Sequence, residues 1–427
     1  MATTMSASIC ASAARVAALP GATLSSSTSD FAGAPAALTA TCRASVQCKA
    51  SARSTRLIAC SAESESTSSR RDVLKGSIAA GVAATALGAP KEAQAGLFGD
   101  APQSPWVQVP LNLDDGIVLM DIAFTGDDPN HGFLLGTRQT LLETFDGGAT
   151  WEKRSIQAAA DSDINYRLNG ISFNGSEGWI VGKPAIVLHT TNGGKDWERI
   201  PLSAKLPGTP VKITALPADG AAEMTTDQGA IYVTANAAYT WRAAVDETVD
   251  ATLNRTVSSG ISGASYYTGT FATVARNDDG QYIAVSSRGN FYMTWEPGQS
   301  FWFPHNRSTA RRVQNMGFRP DGGLWMSVRG GGVFQAPAKE GINSETFDEA
   351  KLGSRGFGIL DIGYRTADEA WACGGSGSLY KSTDAGESWK RDRSTDDIAA
   401  NLYLIKFPAK DKGFVLGNDG VLLRYVA

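Results

Sequence analysis

The sequence predicts an all-β fold of repeated four-stranded antiparallel units, and three observations carry that prediction. The first is an eight-residue stretch that returns: residues 144–151 read TFDGGATW, residues 190–197 read TTNGGKDW and residues 382–389 read STDAGESW. The second is its surroundings: each copy follows a short apolar run and ends in a Trp that opens the next run. The third is composition. Beyond residue 95 lie all ten Trp, most of the 46 Gly and a single Cys. Each repeat is one supersecondary unit that buries its face only by stacking on its neighbours, so the repeat sets the architecture.

The repeated stretch has a legible physical logic. Asp146, Asn192 and Asp384 can hydrogen-bond backbone two residues on and close a turn. Gly148, Gly194 and Gly386 can take the positive φ that such a turn needs. Trp151, Trp197 and Trp389 then offer a large apolar face to a neighbouring sheet. A weaker copy, EPGQSF at 296–301, puts Phe301 at the anchor position. The stretch resembles the Asp box, S-x-D-x-G-x-T-W, of β-propeller proteins, complete at 144–151 with Thr for Ser. That motif is structural and implies no chemistry.

Taken in order, the units number seven. Blade one spans about 116–157, with runs at 120–124 and 132–136 before its box. Blade two has 170–173 and 178–182 and closes after Trp197. Blade three has 211–216, 222–226 and 230–234, anchored by Trp241. Blade four has 269–275, 281–286 and 290–295, anchored by Phe301. Blade five has 313–318, 323–328 and 332–335, anchored by Phe347. Blade six has 358–364, 369–373 and 378–382, anchored by Trp389. Blade seven has 402–407, 413–417 and 421–425 and lacks a fourth strand. Residues 105–109, PWVQV, carry an anchor Trp followed by strand alternation, and are expected to fill that place and close the ring. The longest interval between anchors holds a polar insertion at 245–267, expected as a loop or small hairpin. The fold expected is therefore a seven-bladed β-propeller closed by its own N-terminal strand.

The start of the chain lies outside that fold. Residues 1–62 are rich in Ala, Ser and Thr and carry Arg15, Arg43, Arg53 and Arg56 against one acid, Asp30, as a chloroplast transit peptide does. Residues 69–75, SRRDVLK, form a twin-arginine signal; an apolar stretch at 78–87 and Ala93-Gln94-Ala95 complete an export segment over 63–95. The stretch is too short to span a bilayer. The two addresses in series predict a mature domain, 96–427, in the thylakoid lumen.

Cleavage at that point would remove nine Lys and Arg and five Asp and Glu, leaving 30 basic against 38 acidic residues, a formal charge of −8. That balance argues against nucleic-acid binding. Cys373 sits in an apolar run and is read as an inert buried thiol. His131, His189 and His305 are not paired at ligand spacing, so neither a metal nor another cofactor is expected. No nucleotide or nucleophile motif stands in the context it needs, and Gly330-Gly331-Gly332 reads as a turn between strands. The enzyme alternative is a sialidase-like glycoside hydrolase. It needs an Arg triad and a Tyr–Glu pair, and none of Tyr166, Tyr266 and Tyr267 has a Glu assignable beside it. No catalytic residue is assigned, and a monomer is expected.

One charge pattern stands out. Between Lys212 and Lys339 every basic residue is Arg, the side chain that grips carboxylates with a rigid, permanently charged fork. Turns between second and third strands hold Arg138, Lys183, Arg288 and Arg329. Connections into the next blade hold Arg167, Arg311, Arg312 and Arg355. In a propeller both sets lie on one face, so these eight residues are expected to form a partner-binding patch.

Beyond residue 254 the resemblance becomes specific. NRTVSSGISGASYYTGTF (254–271), VSSRGNFYMTWEPGQ (285–299), RRVQNMGF (311–318), RGFGILDIGYR (355–365), ANLYLIKF (400–407) and the closing KGFVLGNDGVLLRYV resemble the photosystem II stability/assembly factor family of cyanobacteria, algae and plastids. The resemblance covers essentially all of 96–427. It implies a lumenal propeller, peripheral to the thylakoid membrane, that binds newly made reaction-centre core polypeptides in early photosystem II assembly intermediates. A generic lumenal protein-binding scaffold is the remaining alternative.

Overall fold

The computed structural model describes residues 104–160, 164–245, 270–354, 356 and 358–426. The two targeting segments, most of the 245–267 insertion and Arg355 lie outside them. Twenty-eight strands, β1–β28 in chain order, form seven four-stranded antiparallel sheets among the described residues. Blade one is β2 (Leu119–Phe124), β3 (Gly132–Gly136), β4 (Leu141–Thr144) and β5 (Glu152–Arg154). Blade two runs from β6 (Arg167–Asn174) to β9 (Glu198–Ile200), blade three from β10 (Pro210–Ala215) to β13 (Arg242–Ala243), and blade four from β14 (Phe271–Arg276) to β17 (Phe303–Asn306). Blade five runs from β18 (Val313–Phe318) to β21 (Asp348–Glu349), and blade six from β22 (Ile359–Tyr364) to β25 (Lys390–Asp392). Blade seven is β26 (Leu402–Ala409), β27 (Lys412–Gly417), β28 (Leu422–Tyr425) and, from the other end of the chain, β1 (Trp106–Val109). The ring is a seven-bladed propeller closed as the sequence predicts.

The anchors show why the blades stack. Each packs on the blade before it. The Trp151 ring meets Phe414 of blade seven at 6.5 Å, Trp197 meets Phe133 of blade one at 6.0 Å, and Trp241 meets Trp179 of blade two at 6.2 Å. Phe347 meets Tyr292 of blade four at 6.2 Å, and Trp106 meets Trp371 of blade six at 5.4 Å. Trp389 shares a buried cluster with Trp325 of blade five. Second strands such as GFLLG, LWMSV and AWACG are buried along their whole length. A strand covered by blades on both faces reads as a continuous apolar run instead of an alternation.

The box closes as its residues suggest. Thr144 donates its hydroxyl hydrogen to Asp146 Oδ1 at 2.7 Å, and that oxygen accepts the N–H groups of Ala149 and Thr150, both at 2.9 Å. Gly148 has φ 86°, and a Cβ there would stand 2.6 Å from the Phe414 ring of blade seven. Close approach of the preceding blade thus demands glycine as much as the turn does.

Two features depart from the expected repeat. Phe301 is not the blade-four anchor: it is 43% exposed, whereas Trp302 is 1% exposed and donates its indole N–H to Gly229 O of blade three at 2.7 Å. The reason lies in the turn. The Thr294 hydroxyl is engaged by His305 and Asn343, and Glu296 closes a turn with Gln299 instead of with the box serine position, so the anchor falls one residue later. Blade three, in turn, has a fourth box. In TANAAYTW (234–241) Thr234 donates to Asn236 at 3.1 Å and Ala238 N–H donates to the Thr234 hydroxyl at 3.0 Å, with Ala237 and Ala238 holding positive φ.

The inner strands share one irregularity. In all seven, pairing with the second strand slips by one residue at the same place, leaving Met120, Asn169, Val211, Ala272, Gln314, Leu360 and Tyr403 as the extra residues. A bulge bends the strand and re-aims the side chain that follows. In three blades that side chain stitches to the next blade. Asp121 Oδ2 accepts Ile171 N–H at 3.0 Å, Asn315 Nδ2 donates to Leu360 O at 3.0 Å, and Asp361 Oδ2 accepts Ile405 N–H at 3.0 Å.

Candidate partner-binding face

The turns from second to third strands and the connections into the next inner strand lie together on one face, sewn by backbone hydrogen bonds. Within blade five, Arg329 N–H donates to Arg312 O at 2.9 Å. Between blades, Gln139 N–H donates to Tyr166 O (2.7 Å), Phe271 N–H to Asp227 O (2.7 Å), Val313 N–H to Gly289 O (2.9 Å), Gly377 N–H to Ala400 O (2.7 Å) and Gly420 N–H to Ile117 O (3.0 Å). These bonds join five of the seven blade boundaries and hold the side chains there in fixed relation.

Seven of the eight expected patch residues are described, and all seven are exposed on this face: Arg138, Arg167, Lys183, Arg288, Arg311, Arg312 and Arg329. Arg167 and Lys183 are directly opposed in the β6 pairing. Arg138 donates to the Asp115 carbonyl at 3.3 Å. Arg311 lies 4.0 Å from Glu349, a pair open to solvent on both sides and so worth no more than about 1 kcal/mol. The other five have no ion-pair partner among the described residues. Sequence reasoning passed over Arg307, whose guanidinium reaches Asn290 of the blade-four turn at 3.1 Å. Its signal was its place in the lysine-free interval, directly before the connection into blade five.

The opposite face carries the boxes, and its charge is reversed. Turns between first and second strands expose Asp127, Asp128, Asp219, Asp278, Asp279, Asp321, Asp368 and Asp411. The three histidines are spent inside blades: His131 Nε2 is 2.8 Å from Glu143, His189 Nε2 2.6 Å from Glu177, and His305 Nε2 2.8 Å from the Thr294 hydroxyl. No cluster of three metal-ligating side chains occurs among the described residues. The Tyr166 hydroxyl is buried and accepts a hydrogen bond from Arg199 at 2.9 Å, while Tyr266 and Tyr267 lie outside the described residues. Burial pushes the Cys373 thiol well up, as an inert core cysteine requires.

The profile of the family described as photosynthesis system II assembly factor YCF48 matches residues 99–426. The chain belongs to this family. The photosystem II stability/assembly factor HCF136, chloroplastic, of Oryza sativa subsp. japonica is 59% identical over 343 residues, covering 76% of this chain and 82% of the relative. The solved YCF48 from Cyanidioschyzon merolae is 49% identical with a TM-score of 0.69, covering 75% of this chain and 98% of that one. A solved YCF48 bound to D1 peptide is 42% identical with a TM-score of 0.67, covering 77% and 98%. As a member of the YCF48 family, the chain is a photosystem II assembly factor on an all-β propeller.

Proposed function

We propose that the chain acts in the thylakoid lumen as a non-catalytic holder of newly made reaction-centre polypeptides, with the basic face as its holding surface. The observation that carries this reading is the gathering of exposed Arg138, Arg167, Lys183, Arg288, Arg312 and Arg329 on one rim of a domain whose formal charge is −8. A local positive field on a negative body orients an acidic partner during encounter. The D1 peptide bound to a 42% identical relative supports a polypeptide of that kind as the partner. Arg311 and Arg355 complete the proposed patch. The compartment rests on residues 1–62 as a transit peptide and 63–95 as a twin-arginine export segment, which leaves 96–427 as the lumenal domain. The chloroplast relatives support the first of these.

Changing Arg288 and Arg329 together to Glu tests the surface. Turn side chains carry little of the core, so the melting temperature should hold. Capture of a D1-type lumenal peptide should fall at least tenfold, since loss of one Arg from a desolvated carboxylate pair costs roughly 2–5 kcal/mol. Wild-type capture should weaken as salt rises. Binding indifferent to both changes would move the site to the acidic face. A non-catalytic role predicts no turnover of a fluorogenic sialoside; turnover abolished by Arg311→Ala would overturn it.

A further inference from the structure

The seven inner strands enclose an axial channel. Its cavity has a volume of about 790 Å³ on the side of Thr137 and Arg167, at the basic rim, and about 360 Å³ on the side of Asn277 and Asp278. Asn169, Lys212, Arg276 and Lys406 line both parts. Two of the three cations are already matched: Arg276 Nε donates to Glu223 Oε1 at 2.7 Å, and the Lys406 ammonium is bonded to Asp121.

Lys212 is different. It occupies the place after the bulge where Asp121, Asn315 and Asp361 are spent on stitching blades. Its ammonium has no hydrogen-bond or ion-pair partner among the described residues. On the adjoining inner strand, Asn169 Oδ1 is buried and also lacks a partner. The two strands are tied side by side, with Ala215 N–H donating to Ser172 Oγ at 3.0 Å. An ammonium without a protein acceptor and the Asn169 side chain therefore line one cavity, with the amide oxygen turned away from solvent and the NH₂ left to face it.

We propose that Lys212 and Asn169 form a site in the axial channel for a small oxyanion of the phosphate or carbonate type. Such an anion brings oxygens that accept from the Lys212 ammonium and from the Asn169 NH₂. Arg167 at the mouth draws anions in.

The remaining charged groups set the pH dependence. Asp121, Arg167, Arg276, Asp278, Asp361 and Lys406 line the channel with Lys212, and Glu223 is bonded to Arg276. Burial pulls the Lys212 ammonium down to about 8, which leaves it charged below neutrality. Burial pushes Asp361 up to about 7 against the hydrogen bonds from Ile405 and Ile362 N–H. As pH falls from 8 to 6, Lys212 gains its charge and Asp361 loses its own. The channel becomes more positive, and anion affinity rises.

The test is calorimetric titration of the full chain with inorganic phosphate at constant ionic strength, at pH 6.5. One saturable site is expected, weakened at least tenfold in Lys212→Met and kept within about threefold in Lys212→Arg. Sulfate, whose own charge does not change over this range, should compete for the same site, and its affinity should rise between pH 8 and 6. Melting curves establish that each variant is folded. An isotherm unchanged in folded Lys212→Met, or no saturable phosphate binding by the wild type, overturns the proposal. Should Lys212→Met fail to fold, Asn169→Leu takes its place, with the same loss expected and unchanged binding again decisive.

Discussion

Trp106 and Tyr425 stand opposite each other in the pairing of β1 with β28, and their rings meet edge to face at 5.2 Å and 77°. The same Trp packs on Trp371 of blade six, so one side chain joins the two ends of the chain and two blades. A closed ring leaves no long sheet edge at the join, and this pair is where closure is made.

Deleting residues 104–110 should therefore open the ring. Loss of a buried Trp alone costs about 3–5 kcal/mol, and the bared edge of β28 invites pairing with other chains. The truncated protein should melt well below the full one and aggregate on heating, as read by scanning calorimetry and light scattering. Equal melting temperatures would mean that β1 does not close the fold.

Asp146 tests the box. Asp146→Ala removes every bond its carboxylate accepts, at a cost of about 1–2 kcal/mol in this exposed turn. Asp146→Asn should cost far less, because blades two and three build the same turn on Asn192 and Asn236. Burial raises the Asp146 pKa, but the hydrogen bonds from Thr150, Thr144 and Ala149 together outweigh it and hold the carboxyl at about 2. Its contribution is thus present above the unfolded value near 3.8 and lost as pH falls through about 2. Wild type should lose stability over that window more steeply than Asp146→Asn. Parallel acid limbs would deny the carboxylate that role.

The one-residue shift of the blade-four anchor can be read from a pair of variants. Trp302→Ala should destabilise by about 3–5 kcal/mol, leaving a cavity beside Ile231 and orphaning Gly229 O. Phe301→Ala should change stability by less than about 0.5 kcal/mol. Denaturant melts of the two variants decide the matter, and a reversal of the order would restore Phe301 as the anchor.

Blade number, strand order and closure were legible because an aromatic recurs at nearly constant spacing and each must find a neighbouring blade. The fourth box was hidden by Ala237 and Ala238, which stand where glycine was sought; Thr234, Asn236 and Trp241 still marked it. Trp302 was missed because EPGQSF matches the pattern by type, while the turn that sets its register depends on which partner Thr294 bonds. The common face of Arg138, Lys183, Arg288 and Arg329 was legible once the strands were counted, since equivalent turns share a face. The channel was not. A bulge is a property of pairing between two strands, and nothing in Val211-Lys212 alone tells that the lysine is turned inward. The one trace was the presence of Asp121, Asn315 and Asp361 in strands that otherwise read as apolar.

Ring closure also sets a clock on synthesis. β1 is among the first described strands to leave the ribosome, and its partner β28 is the last. At roughly 5–20 residues per second, the three hundred or so residues between them occupy about 15–60 s. For that interval Trp106 has no partner, and blade seven does not exist. A prematurely terminated chain can stack blades but never seal them, so its unsealed edge distinguishes it from a finished molecule. The joint between β1 and β28 is thus a check, made by the fold itself, that the last strand of the propeller was reached.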